Sequence, residues 1–310
     1  MYSSINDFLP DRSAPQELSV AQGIDLEAES MLIGLAELKA CLKPRKLFSH
    51  KGTYGHALII AGAPATMGAA ILSAMACLHG GAGLTTLCIP ESGLQALNTA
   101  LPEVMYVARE TLLEQSALDT YSAIAIGPGL RQGTEFSDTD FKLMRLVLQC
   151  GRPVIADADA LNLFAEQKQY LSLLPENSIL TPHVKEFDRL FGEHESWWAR
   201  VQTARQYAKT QKVIVLLKNQ YTFIADQEGK VFINTTGNPA MAQGGMGDVL
   251  TGLIAAFVAQ GYPSKEAAIL ACGLHGMAGD DLAHESFNVT ASAVAMQVPR
   301  SRYRLQSFAP

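Results

Sequence analysis

Between Ala57 and Ile89 the chain carries no Asp, Glu, Lys or Arg, a run long enough to cross a bilayer, yet Gly62, Pro64, Gly68, Gly80, Gly81 and Gly83 interrupt it. The apolar pieces that remain are too short to span a membrane as one helix. They read as a short strand, a loop, a helix and a second strand. Strands this apolar belong at the centre of a sheet covered on both faces, because a sheet with one wet face would alternate. No membrane span is expected.

The same rhythm continues along the chain. Short apolar or β-branched runs at 57–62, 84–89, 104–109, 123–127, 153–156, 178–181 and 213–217 alternate with longer helical stretches. That alternation predicts an α/β fold, a mostly parallel central sheet with helices on both faces. Thr222–Asp226 and Lys230–Asn234, joined by Gln-Glu-Gly, predict a hairpin. From Asp248 the pattern is helical to about Gln260, breaks at Gly261-Tyr-Pro263, and resumes from Ser264 to about His284. One plausible boundary lies near Lys43-Pro-Arg45, giving an extension over 1–45 and a single domain over 46–310.

A net charge of −6 without any basic run argues against a nucleic-acid surface, so an anionic ligand must be held locally. Cys41, Cys77, Cys88, Cys150 and Cys272 are scattered and odd in number, with no Cys-x-x-Cys spacing; they read as reduced core residues of a cytoplasmic protein. Residues 1–30 mix Asp7, Asp11, Glu17, Asp25, Glu27 and Glu29 into every apolar stretch and so lack the pattern of a secretory signal.

Ligands of open α/β sheets sit at the carboxyl ends of strands. There the chain places Gly62 and Met67-Gly-Ala69-Ala70, Gly127-Pro-Gly-Leu130, Asp157-Ala-Asp-Ala-Leu-Asn162, Thr181-Pro-His183-Val-Lys-Glu186 and Lys218-Asn219-Gln220-Tyr221-Thr222. Singly, each has a plain structural reading: a turn, a hydrogen-bonding histidine, a solvated lysine. Jointly they describe a site. The sixth segment, Asn238-Pro-Ala-Met-Ala-Gln-Gly244-Gly245-Met-Gly247-Asp248, sends three glycines into a helix with one acid in its first turn. Free backbone N–H groups and the helix dipole favour an anion there, and glycines let the main chain approach it closely. Alone, the segment is equally a glycine turn before a buried helix.

No Gly-x-x-x-x-Gly-Lys-Ser/Thr occurs, and Gly245-Met-Gly247 is followed by Leu250 where the dinucleotide fingerprint wants Gly or Ala. A glycine loop and acid at a late helix start instead resemble the ribokinase-like superfamily, whose Gly-x-Gly-Asp segment binds phosphate and whose Asp deprotonates the accepting hydroxyl. Within it, His50-Lys-Gly-Thr-Tyr-Gly-His56, the run to Ile89, Ala125-Ile-Gly-Pro-Gly-Leu130, Asp157–Asn162, Thr181–Phe187, Leu216-Leu-Lys218, the glycine–Asp segment and His275-Gly-Met-Ala-Gly-Asp280 resemble the ADP-dependent NAD(P)H-hydrate dehydratases.

That resemblance implies a stand-alone dehydratase without the epimerase domain to which the family is often fused, acting on (S)-NAD(P)H hydrate with ADP or ATP and Mg2+. By it Asp248 is the catalytic base; Ala69, Gly129, His183 and Asp248 contact the hydrated dinucleotide. Lys218, Asn219, Gln220, Tyr221, Thr222, Gly244, Gly245 and Gly247 contact the nucleotide, and Glu186 is a metal-side candidate. It also implies a homo-oligomer, a tetramer in the family, and a separate hydrate epimerase as partner.

The chain departs from the family pattern at Met246, usually Ser or Thr, at Gln243, in the Asn219–Tyr221 loop and at Ala293. These changes bear on nucleotide fit more than on fold. A vitamin kinase of the same superfamily and a nucleotide-binding regulator without catalysis are the other two readings. Product analysis separates the first of these from a dehydratase, and an Asp248→Asn variant that behaves like its parent would mark the second.

Overall fold

In the central strands successive residues feed opposite faces. Ala57 and Ile59 enter one apolar cluster and Leu58 and Ile60 another, and Ala123 and Ala125 separate from Ile124 and Ile126 in the same way. Both faces are therefore covered, as the unbroken apolarity of these strands requires. The computed structural model describes residues 5–13, 30–115, 118–131, 133 and 135–307, and residues 1–4 and 14–29 of the expected extension lie outside them.

The elements run β1 (Ser30–Ile33), α1 (Leu35–Cys41), β2 (His56–Ile60), α2 (Met67–Gly80), β3 (Leu84–Ile89), α3 (Leu94–Ala100), β4 (Met105–Ala108), α4 (Arg109–Gln115), β5 (Ala123–Ile126) and α5 (Asp138–Leu148). They continue with β6 (Val154–Ala156), α6 (Asp159–Glu166), β7 (Ile179–Leu180), α7 (Val184–Phe191), α8 (Trp197–Gln211), β8 (Ile214–Leu217), β9 (Thr222–Ala225), β10 (Val231–Asn234), α9 (Met246–Ala259), α10 (Ser264–Ala283) and α11 (Ala291–Ser307). One sheet of ten strands results, in the order β1-β10-β9-β8-β7-β6-β5-β2-β3-β4. Every neighbouring pair is parallel except the two that β9 makes, with β8 and with β10.

The expected hairpin is β9–β10. Its turn is closed by the Asp226 carboxylate, which accepts from the Glu228 and Lys230 N–H groups at 3.0 and 2.9 Å. The strand expected over 104–109 stops at Ala108, because Arg109 already opens α4. Strand β1 was not expected; it pairs with β10 in parallel, Ser30 opposite Val231. Residues before it also pack down: Ile5, Phe8 and Leu9 are buried in a third cluster with Val201, Ala204, Val215 and Phe223.

The helix that carries the glycine–Asp segment is held by small residues. A Cβ on Gly252 would lie 2.1 Å from the Ser73 carbonyl, and one on Gly80 2.6 Å from Ala256 Cβ, so α9 and α2 meet almost backbone to backbone. Ser73 Oγ donates to the Asp248 carbonyl at 3.0 Å. Among the described residues, no helix is long and apolar enough to cross a membrane.

Candidate active site

Gly245 is the N-cap of α9, at φ 91°, and supplies no side-chain cap. The first-turn N–H groups of α9 are thus left for an anion, and a residue with a Cβ would meet both the left-handed strain and the Leu72 side chain 2.5 Å away. Asp248 follows three residues later, in that first turn.

Beneath it lies a buried charge network. Asp157, at the end of β6 and 1% exposed, accepts from Lys218 Nζ at 2.8 Å through Oδ1 and from Thr251 Oγ1 at 2.7 Å through Oδ2. Burial pushes the Asp157 carboxyl up, but the Lys218 ammonium and hydrogen bonds from Lys218, Thr251 and Thr181 outweigh it and hold the group below its ordinary value. Lys218 is raised, burial notwithstanding, by Asp157, Glu186 and Asp248. Asp248 shifts the other way: burial first and the Asp157 carboxylate second push its carboxyl up to about 7, against the pull of Lys218. A proton acceptor poised near neutrality is what a general base needs.

Around this network the strand ends converge. Gly247 faces Lys218 Nζ and Asp157 Oδ2, at 3.5 and 3.7 Å from the position its Cβ would take. Lys218 forms an isolated parallel bridge with His183, its N–H donating to the Pro182 carbonyl at 2.9 Å. Gly127 approaches Asp157 so closely that a Cβ there would lie 1.8 Å from the Asp157 carbonyl. Gly129 accepts from Thr66 Oγ1 at 2.7 Å, next to the first turn of α2 where Ala69 sits.

His183 caps α7. Its Nδ1 accepts from the Glu186 N–H at 3.3 Å, while Glu186 Oε2 accepts from the His183 N–H at 2.9 Å. With Nδ1 an acceptor, the ring proton belongs on Nε2, which faces Glu186 Oε1 at 3.3 Å. Burial, then Lys218, lower the His183 pKa, keeping the ring neutral; burial raises that of Glu186.

Beside the network a cavity of about 460 Å³ opens between the Lys218–Thr222 loop, the Asn234–Ala242 segment, the start of α9 and the middle of α10. Lys218, Asn219, Gln220, Thr222 and Gly247 line it; Tyr221 is turned away, its ring 5.3 Å edge-on from Phe8. Gly244 stands in open space, exposed beside the helix start. The cavity wall is fixed by Asp280, which accepts from the Gly237 N–H and from Asn238 Nδ2 at 3.0 and 2.7 Å.

Sequence reasoning missed the Asp157–Thr251 hydrogen bond beneath Asp248 and Asp280 as the clamp of the cavity wall. Asp157 and Asp280 lie in segments quoted for their resemblance, but their contacts span 94 residues for Thr251 to Asp157 and 42 for Asn238 to Asp280. Among the described residues, no group of three or more His, Cys, Asp or Glu forms a metal cage.

The comparisons with known proteins bear on this arrangement. The NAD(P)H-hydrate dehydratase family profile matches residues 57–300. The chain belongs to that family. It is 34% identical to the ADP-dependent (S)-NAD(P)H-hydrate dehydratase of Streptococcus thermophilus, over 84% of this chain and 95% of that one. A ribokinase-like superfamily protein from Enterococcus faecalis superposes with a TM-score of 0.80 at 31% identity, covering 90% of this chain and 97% of that one. The ADP/ATP-dependent NAD(P)H-hydrate dehydratase from Bacillus subtilis, co-crystallized with ATP/Mg2+, superposes with a TM-score of 0.77 at 31% identity, over 88% and 97% of the two chains. The chain spans about half the length of the bifunctional NAD(P)H-hydrate repair enzymes that it also matches. The fold is ribokinase-like, as the sequence implied.

Proposed function

We propose that the chain dehydrates (S)-NADH or NADPH hydrate at the expense of ADP or ATP, a carbon–oxygen lyase built on a kinase site. The observation that carries the reading is the Asp248 carboxyl, raised to about 7 in the first turn of a glycine-led helix, above the Lys218–Asp157 pair. Family membership and the names of the relatives support the substrate.

Hydroxide leaves a reduced nicotinamide ring poorly, whereas phosphate leaves well. Asp248 takes the proton of the hydrate's hydroxyl as that oxygen attacks the terminal phosphoryl group of the nucleotide, giving AMP from ADP and a phosphate ester. The ring nitrogen then expels phosphate, and loss of the neighbouring ring proton restores NADH or NADPH. The N–H groups of Gly245 and Gly247, exposed Gly244 and the Lys218 ammonium receive the phosphoryl charge, since phosphoryl transfer depends mainly on positioning and charge neutralisation. Mg2+, when bound with the nucleotide, would add to that neutralisation, with Glu186 as the metal-side carboxylate. Ala69, Gly129 and His183 face the hydrate; Asn219, Gln220, Tyr221 and Thr222 belong to the nucleotide loop, Tyr221 through packing on Phe8.

We further propose a cytoplasmic homo-oligomer, a tetramer, served by a separate epimerase, with residues 1–45 an extension to a single domain over 46–310. The vitamin-kinase and inactive-binder readings are not favoured, because the relatives that cover most of the chain are named dehydratases. The purified protein, incubated with hydrated NADH, Mg2+ and ADP or ATP, should restore reduced-nicotinamide absorbance and release phosphate in equal amounts. Phosphorylated substrate without phosphate release would establish a kinase, and nucleotide binding without either product an inactive binder.

A further inference from the structure

Away from the base, one buried cation has no part in the chemistry proposed above. Arg109, 7% exposed, opens α4 and turns its guanidinium under the loops that follow β2 and β5. Its Nη2 donates to the carbonyls of Gly62, of Leu130 at 3.2 Å and of Ala61 at 3.4 Å, and its Nη1 pairs with Asp140 Oδ1 at 3.2 Å. Asp140 is itself 2% exposed, and its other oxygen accepts from the Ser137 N–H and hydroxyl at 2.9 and 2.7 Å, capping α5. The two loops are also tied directly, by the Gly62 N–H donating to the Pro128 carbonyl at 2.8 Å and by Thr66 to Gly129.

A charged side chain buried this deeply is retained where partners are supplied; Nε finds none, but Nη2 serves the carbonyls of both loops while Nη1 holds the Asp140 carboxylate, a spread that the single nitrogen of an ammonium would have to give up in part. These are the loops that carry Gly129 and lead into Ala69. We infer that Arg109, held by Asp140, is a positioning residue for the hydrated dinucleotide: it fixes the spacing of the β2–α2 and β5–α5 loops and so sets affinity for that substrate, leaving the nucleotide side alone. The inference rests on the proposed reading for the identity of the substrate, but the clamp itself does not.

Arg109→Lys tests it, with Asp140→Asn as a second variant that keeps the arginine and removes its counter-charge. Displacing substrate-positioning groups by about an ångström costs up to a hundredfold, so KM for hydrated NADH should rise about tenfold or more in Arg109→Lys. KM for ADP, governed by the Lys218–Thr222 loop, with which Arg109 shares no hydrogen bond, should stay within about twofold. Hydrogen exchange should quicken in peptides covering 61–66 and 127–131 and remain unchanged over 236–248. Equal changes in both KM values, or none in either, overturn the positioning role; unchanged exchange in both loops overturns the clamp. A parent protein without turnover would sink the dehydratase reading, and the exchange pattern would still decide the clamp.

Discussion

At the residue scale the proposed chemistry turns on one carboxyl group. Asp248→Asn should lower kcat by about 10² to 10⁴, the usual worth of a positioned base, measured by phosphate release. In the parent, kcat/KM should fall as pH drops through about 7, where Asp248 takes up its proton. A limb near the ordinary carboxyl value of 3.8 would remove Asp248 from the role of base. The same shift governs stability. Because the folded-state pKa lies above the unfolded one, the contribution of this group is fully present below 3.8 and is lost as pH rises through about 7. The Asn variant should therefore match its parent near pH 4, pull ahead in melting temperature as pH rises from about 4 to about 7, and keep a constant lead above that. Gly247 offers a separate test, since an added Cβ would meet Lys218 and Asp157 at ordinary contact distances of 3.5 and 3.7 Å. Gly247→Ala should fold as stably as the parent yet raise KM for ADP about tenfold, the loss of roughly one charge-assisted hydrogen bond.

At the scale of elements, α9 links two motifs that the sequence displays far apart. Its first turn holds Asp248, and its last residue, Ala259, presents a carbonyl to Gly55 of the His50–His56 segment, so close that a Cβ on Gly55 would lie 1.8 Å away. The segment thus works at the end of the helix opposite the chemistry. With φ at 71° as well, Gly55→Ala should destabilise the protein by more than about 2 kcal/mol, read by denaturant unfolding. The central strands, the hairpin and the two helices that follow Asp248 were legible in the sequence because their apolar periods and glycine breaks are local signals. Strand β1 was not, since four residues, Ser30 to Ile33, carry no readable period and owe their conformation to β10. Arg109 escaped for a related reason: a lone arginine after a strand looks solvated until its four partners are assembled from three other segments.

For the whole molecule, the cavity proposed for the nucleotide lies among the loops after β8 and β10 and helices α9 and α10, so ligand binding should resist unfolding of the entire unit. ADP at about 100 times its Kd adds roughly 2.7 kcal/mol, which for a chain of this size should raise the melting temperature by about 4 °C. No rise with ADP or ATP would count against a nucleotide site. The proposed base and its glycine cradle were visible in the sequence as a motif, but the Asp157–Lys218–Thr251 network beneath it was not, because it exists only after the ends of β6 and β8 meet helix α9. The edge strand has a different implication. Ser30 finds its partner Val231 about 200 residues later, so during synthesis the start of the chain waits roughly 10 to 40 s for its seat to leave the ribosome. Until then Met31 and Leu32 are a sticky end without a berth, and the nascent chain, more than the finished enzyme, is where a chaperone would be needed.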